Sequence, residues 1–309
     1  MASVQAPSAV AMIRPLAFRA NPETAEDNGF QTGAGEADAA VAARATAEFD
    51  GVVEALRGAG VAVLVHEDDG SRDTPDSVFP NNWFSTHAGG HVAVYPMFPE
   101  NRRRERRWDL IEEIKRRYRV QDVIDYSGLE QDGLALEGTG AMVLDHVGKV
   151  AYVARSNRAD PVILERFCTN FGYEPMAFDA VDARGIRVYH TNVILTVATD
   201  FALVCLDMID GPRRDEVAER LAEGGRDVIA LTHAQIDGFA GNALELTGTD
   251  GRLLALSACA HDVLTPEQRA RIERSARLLP MPIPTIETAG GSIRCMLAGL
   301  HLSPRKAMA

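Results

Sequence analysis

One structural unit recurs along this chain, and a recurring unit constrains the fold more than any bulk property does. Small or polar residues, a short apolar run, a tight turn and a second apolar run follow one another from Asn82 (NWFSTHAGGHVAVY), Gly140 (GAMVLDHVGKVAYV), Asn192 (NVILTVATDFALVC) and Asn242 (NALELTGTDGRLLAL). The starting points lie 58, 52 and 50 residues apart, and 53 residues further on Cys295 opens CMLAGLHL. Each copy reads as a β-hairpin, with turn signals at Gly89-Gly90, Gly148, Thr199-Asp200 and Asp250-Gly251. The fifth copy has only its first strand. The apolar stretch Val10 to Ile13 is its expected partner, so the N-terminal segment closes a ring and leaves no open edge.

Helical signals fall between the hairpins. Asp160-Pro161 and Thr265-Pro266 are N-caps followed by proline at the first helical position, and Gln268 completes a capping box with Thr265. Trp108, Ile111, Ile114 and Tyr118 recur at helical spacing. Apolar strands are expected at Val61 to Val65, Val123 to Ile124 and Val228 to Leu231. The economical reading is an α/β fold, a five-bladed α/β-propeller of ββαβ modules with pseudo-fivefold symmetry, forming a single domain over residues 1–309.

Charge and cysteine usage narrow the function classes. A formal net charge of −12 disfavours nucleic acid and anionic membranes as partners. No apolar run is long enough to cross a bilayer, and Met1 to Ala20 lacks the order of a signal peptide, so the expected location is cytoplasmic. Cys168, Cys205, Cys259 and Cys295 form no CxxC pair and read as free thiols. Composition leaves a homo-oligomer open.

In a propeller the start of each first strand faces the central channel. Those positions are Asn82, Gly140, Asn192, Asn242 and Cys295, with Glu137 and His190 close by in sequence. A thiol, an imidazole and a carboxylate thus converge from distant segments. A free thiol titrates near about 8.5, so it needs a base to act as a nucleophile at neutral pH. Histidine supplies that base and later protonates a leaving amine, while a carboxylate orients the ring. Cys168, Cys205 and Cys259 lie in apolar contexts and read as small core residues. His66, His146, His233 and His261 read as surface or satisfied-core residues. His87 and His91 flank a Gly-Gly turn, which does not suit a metal, so no metal or organic cofactor is expected.

At these residues a family resemblance appears. Gly290-Gly291-Ser292-Ile293-Arg294-Cys295-Met296 resembles the nucleophile signature of arginine deiminases and amidinotransferases, the pentein superfamily of guanidino-group-modifying enzymes. Leu136 to Gly140 resembles the segment carrying their catalytic carboxylate, and Tyr189-His190-Thr191-Asn192 the segment carrying their histidine. Phe79-Pro80-Asn81-Asn82-Trp83 and the arginine-rich run after Asn101 look most like the citrulline utilization hydrolase group. The resemblance implies the pentein fold, a covalent S-linked intermediate, and Cys295, His190 and Glu137 as the catalytic set.

The departures bear on substrate. Where guanidinium-handling relatives carry two aspartates, this chain has Asn82 and Asn192. A buried guanidinium without its anions loses about 3–5 kcal/mol, whereas amides offer a donor and an acceptor to a neutral ureido group. The expected substrate is therefore citrulline or a similar small ureido compound. Attack would give an S-carbamoyl enzyme and then ornithine, carbon dioxide and ammonia. One arginine of the Arg102 to Arg107 cluster, with Arg103 as the candidate, is expected to grip the substrate carboxylate, and Asp76 its α-amino group. The alternatives are an arginine or guanidine deiminase, an amidinotransferase, or a non-catalytic binding module like a ribosome-associated factor that shares this propeller.

Overall fold

A computed structural model describes residues 4–33 and 39–305; the part of Met1 to Ala20 that precedes Val4 lies outside the described residues. Five three-stranded sheets follow one another along the chain. The first holds β3 (Phe84–His87), β4 (His91–Val94) and β5 (Asp122–Asp125); the second, β6 (Met142–Asp145), β7 (Val150–Ala154) and β8 (Glu174–Phe178). The third holds β9 (Leu195–Val197), β10 (Phe201–Val204) and β11 (Asp227–Ala230); the fourth, β12 (Leu244–Gly248), β13 (Gly251–Ser257) and β14 (Arg277–Met281). The fifth is shared between the chain ends: β1 (Ala9–Pro15) pairs antiparallel with β15 (Ala298–Gly299) and parallel with β2 (Ala62–Asp68).

Every sheet repeats one plan. An antiparallel pair, a hairpin in the first four sheets, carries a third strand parallel to its middle member, and a parallel neighbour requires a crossover connection. Helices supply it at Ala39–Gly58, Trp108–Arg117, Pro161–Phe171, Gly211–Ala222, and Ala258–Val263 with Pro266–Ile272. The caps read from sequence are in place. Asp160 accepts from the Val162 and Ile163 amides, and Thr265 and Gln268 form the capping box. The hairpin strands are almost wholly buried, which explains their continuous apolar runs in place of strict alternation.

Threonine hydroxyls stitch each module to the next. Thr139 Oγ1 donates to the Asn81 carbonyl (3.3 Å), Thr191 Oγ1 to Ala141 (2.5 Å) and Thr196 Oγ1 to Gly241 (2.8 Å). Thr247 Oγ1 then donates to Ala6 (2.9 Å), and Thr86 Oγ1 to Gly299 (3.0 Å), which returns the circuit to the first sheet. Val10 to Ile13 lie within β1, so the N-terminal strand closes the five-bladed ring.

Three local expectations need correction. The positions expected to open the first strands instead sit in turns just ahead of them, at Pro80–Asn82, Gly138–Ala141, Thr191–Val193 and Ile293–Met296. Trp108 is 47% exposed, because Leu110 joins Ile111 and Ile114 on the buried helix face. Cys259 is exposed rather than a core residue, since its helical turn buries Ala260 instead.

Candidate active site

The turns ahead of the first strands pack against one another at the ring axis. Gly138 has φ +44°, and a Cβ there would lie 2.4 Å from the Asn81 carbonyl oxygen. A Cβ at Gly140 would lie 2.1 Å from Asn82 Nδ2 and 2.9 Å from His190 Nδ1. Leu136 to Gly140 is therefore glycine-rich because the second turn must nest against the first and against the imidazole.

Cys295, His190, Asn82 and Asp76 line one narrow pocket, together with Arg102, Arg158, Tyr189 and Asn28. The Cys295 sulfur is 3.3 Å from both the Asn192 and the Asn242 side-chain nitrogens, so two amide N–H groups point at it. His190 Nε2 lies 2.8 Å from Glu137 Oε2, and Glu137 Oε1 accepts from the Phe98 amide at 3.1 Å. Arg102 and Arg158 each place Nη1 3.5 Å from Glu137 Oε2.

Burial pushes the Glu137 carboxyl up, but Arg158, His190 and Arg102 outweigh that and hold it well below the usual carboxylate range. Burial, opposed by Glu137, draws His190 down to about 4. At neutral pH the pair is a carboxylate and a neutral imidazole. A neutral imidazole is the form that accepts a proton, and Glu137 is placed to stabilise the imidazolium it would become.

The buried histidine carries a stability consequence. An unfolded chain protonates this imidazole near about pH 6.5, while the folded chain resists until about 4. The unfolded state thus binds more protons between those values, and stability falls as pH drops through that window. His190 alone should remove about 1–2 kcal/mol between about pH 6.5 and 5. His87 and His146, which burial also holds well below the usual range, act in the same direction. A urea midpoint that stays flat over that interval contradicts neutral burial.

Arg103 is not brought to the pocket. Its Nε donates to the Met97 carbonyl at 3.1 Å, and its side chain is about one-third exposed. Arg102 occupies the place expected for it. Arg102 is held by a two-pronged bond to Glu105 (2.8 and 3.0 Å) and donates through Nη2 to Asn82 Oδ1 at 3.0 Å. Burial raises Glu105 to about 7, with Arg102 opposing the rise. Asp76 accepts from Asn21 Nδ2 at 2.8 Å, and its buried Oδ1 has no partner among the described residues.

Sequence reasoning missed Arg158, Asp27 and Glu105, and it placed Asn242 at the channel without foreseeing its contact with the Cys295 sulfur. Arg158 Nε donates to Asp27 Oδ2 at 2.9 Å, its Nη2 also bonds Asp27, and its guanidinium lies 4.8 Å from the Tyr189 ring centre. Nothing in the segment Ser156-Asn157-Arg158-Ala159 marks that arginine as special. Asn242 did carry a signal, since it opens a repeat copy exactly as Asn192 does.

The family model described as N,N dimethylarginine dimethylhydrolase, eukaryotic, matches residues 14–302. Among solved structures, the substrate-bound N-terminal domain of ArgZ, an arginine dihydrolase from the ornithine-ammonia cycle in Cyanobacteria, is similar. It has a TM-score of 0.72 and 15% identity, covering 94% of this chain and 96% of that one. Unliganded AgrE gives a TM-score of 0.74 at 16% identity, over 97% of this chain and 40% of that one. A dimethylarginine dimethylaminohydrolase adduct with S-methyl-L-thiocitrulline gives 0.63 at 16% identity, over 94% and 98%. No curated protein sequence matches the chain. The structural likenesses establish the fold, and the family match extends over nearly the whole ring. The chain belongs to the N,N dimethylarginine dimethylhydrolase family, within the pentein superfamily of guanidino-group-modifying enzymes.

Proposed function

We propose that this protein is a cysteine hydrolase that cleaves the neutral ureido group of citrulline or a similar small amino acid. The observation that carries the reading is the orientation of Asn82. Arg102 donates to Asn82 Oδ1, which fixes the amide so that the buried Nδ2 is the free end, with no acceptor among the described residues. Nδ2 is a donor, and it suits the carbonyl oxygen of a ureido group rather than a guanidinium, which offers only more N–H groups. Asn192 and Asn242, whose Nδ2 atoms meet the Cys295 sulfur and whose Oδ1 atoms have no partner among the described residues, would supply acceptors for the ureido N–H groups.

In this reading His190 takes the Cys295 proton and sulfur attacks the ureido carbon. The carbonyl electron pair moves onto oxygen, where Asn82 Nδ2 stabilises it. Collapse breaks the bond to the alkyl nitrogen, which leaves as an amine with the proton held by His190. Water, deprotonated by His190, then cleaves the S-carbamoyl group and returns the proton to sulfur. The released carbamic acid decomposes to carbon dioxide and ammonia. Arg102 and Arg158 face the pocket as partners for the substrate carboxylate, and Asp76 Oδ1 as a partner for its ammonium group.

The family description supports a second reading, hydrolysis of a guanidine such as dimethylarginine. Products separate the two. Purified protein given citrulline should release ornithine with carbon dioxide and ammonia in equal amounts. Turnover of dimethylarginine to citrulline and dimethylamine, with citrulline left untouched, sinks the ureido reading.

A further inference from the structure

A second cavity lies one step further along the first strands, lined by Ser85, Thr86, His146, Thr196, Arg294 and His301 among others. Gln5 ties the N-terminal segment across it. Its Nε2 donates to the Leu144 and Val197 carbonyls (3.0 and 2.9 Å), and its Oε1 accepts from the His146 amide (2.8 Å). The space inside is about 30 Å³. That holds one or two water-sized species.

Arg294 brings a full positive charge to this cavity. Its Nη1 donates to the Leu297 carbonyl at 3.2 Å, and among the described residues no carboxylate pairs with it. Burial draws the guanidinium down to about 10, which reflects how poorly its charge is compensated. The neighbours provide no anion. His146 and His301 stack with ring centres 3.8 Å apart, and burial holds both below the usual imidazole range. The Thr86 and Thr196 hydroxyls already donate to backbone carbonyls. A half-buried guanidinium without a counter-charge loses part of its hydration with no ion pair in return.

We propose that this cavity binds a small monovalent anion of halide size, held by Arg294 against His146 and His301. The competing counter-charge is the Cys295 sulfur, next in the chain, which faces the catalytic pocket and is negative only as a thiolate. Cys295→Ala removes that competitor while leaving the cavity lining intact.

The test compares melting temperatures of the Cys295→Ala protein in sodium gluconate, sulfate, chloride and bromide at constant ionic strength. Chloride and bromide should raise the melting temperature by about 2–4 °C once they exceed the dissociation constant about tenfold. The rise should saturate, be absent with sulfate and gluconate, and be lost in Arg294→Gln. Should that variant fail to fold, wild-type crystals soaked in bromide decide the matter through an anomalous peak beside the guanidinium. A melting temperature that follows ionic strength alone, a halide effect that survives Arg294→Gln, or bromide peaks only elsewhere overturns the proposal.

Discussion

Cys295→Ala should lower kcat for the ureido substrate by about 10⁴-fold or more, because removal of a nucleophile costs covalent hydrolases on that scale. The fold should survive. One sulfur atom leaves, and the hydrogen bond between Asn242 Nδ2 and the Asn192 carbonyl remains at 3.0 Å to hold the turn. Substrate binding should also persist, since the ureido partners proposed above lie on other turns. Thiol labelling offers a second check, but the exposed Cys259 would react with any alkylating reagent and obscure the result. In a Cys259→Ser background, alkylation should fall on Cys295 and be slowed by citrulline. Wild-type turnover without the Cys295 sulfur removes the covalent mechanism altogether.

The repeat was legible because burial imposes the same apolar run on every hairpin, and turn residues punctuate each copy at nearly the same interval. Ring closure by Val10 to Ile13 followed from that count, since a lone fifth strand needed a partner. The convergence of Cys295, His190 and Glu137 on neighbouring turns was legible for the same reason: each lies in or just before a turn that opens its module, and those turns meet at the axis. What sequence could not provide was the identity of side chains that enter the pocket from outside the repeat. Arg102 and Arg103 are adjacent and chemically identical, yet the short 3₁₀ turn Asn101–Glu105 buries one and points its neighbour to the Met97 carbonyl. Asp27 belongs to an irregular segment with no periodicity, and it is held at the site by Asn157 Nδ2 (3.0 Å) and Arg158 Nε (2.9 Å).

Asn82→Asp should invert the preference between citrulline and arginine, and the structure makes it a sharper probe than a change at Asn192. In the wild type, Arg102 occupies one end of the Asn82 amide and leaves an N–H donor at the other. In Asn82→Asp the same arginine would hold one carboxylate oxygen, and the free end would become an acceptor bearing negative charge. A ureido oxygen placed there loses its donor and meets a like charge, whereas a guanidinium gains a charge-assisted bond. The shift in relative affinity should reach about 100-fold, since pairing or stranding a buried charge is worth about 3 kcal/mol or more. Asn192→Asp is less informative during turnover. Asn192 Nδ2 is one of two donors to the Cys295 sulfur, so a carboxylate there would oppose the thiolate whatever the substrate. Dissociation constants for both ligands should therefore be measured by calorimetry in the Cys295→Ala background, where no thiolate exists and no ligand is consumed. Melting curves recorded alongside show whether the added charge has loosened the fold. If wild-type affinity already favours arginine, or if Asn82→Asp leaves the ratio where it was, Asn82 does not select a neutral group and the guanidine reading takes over.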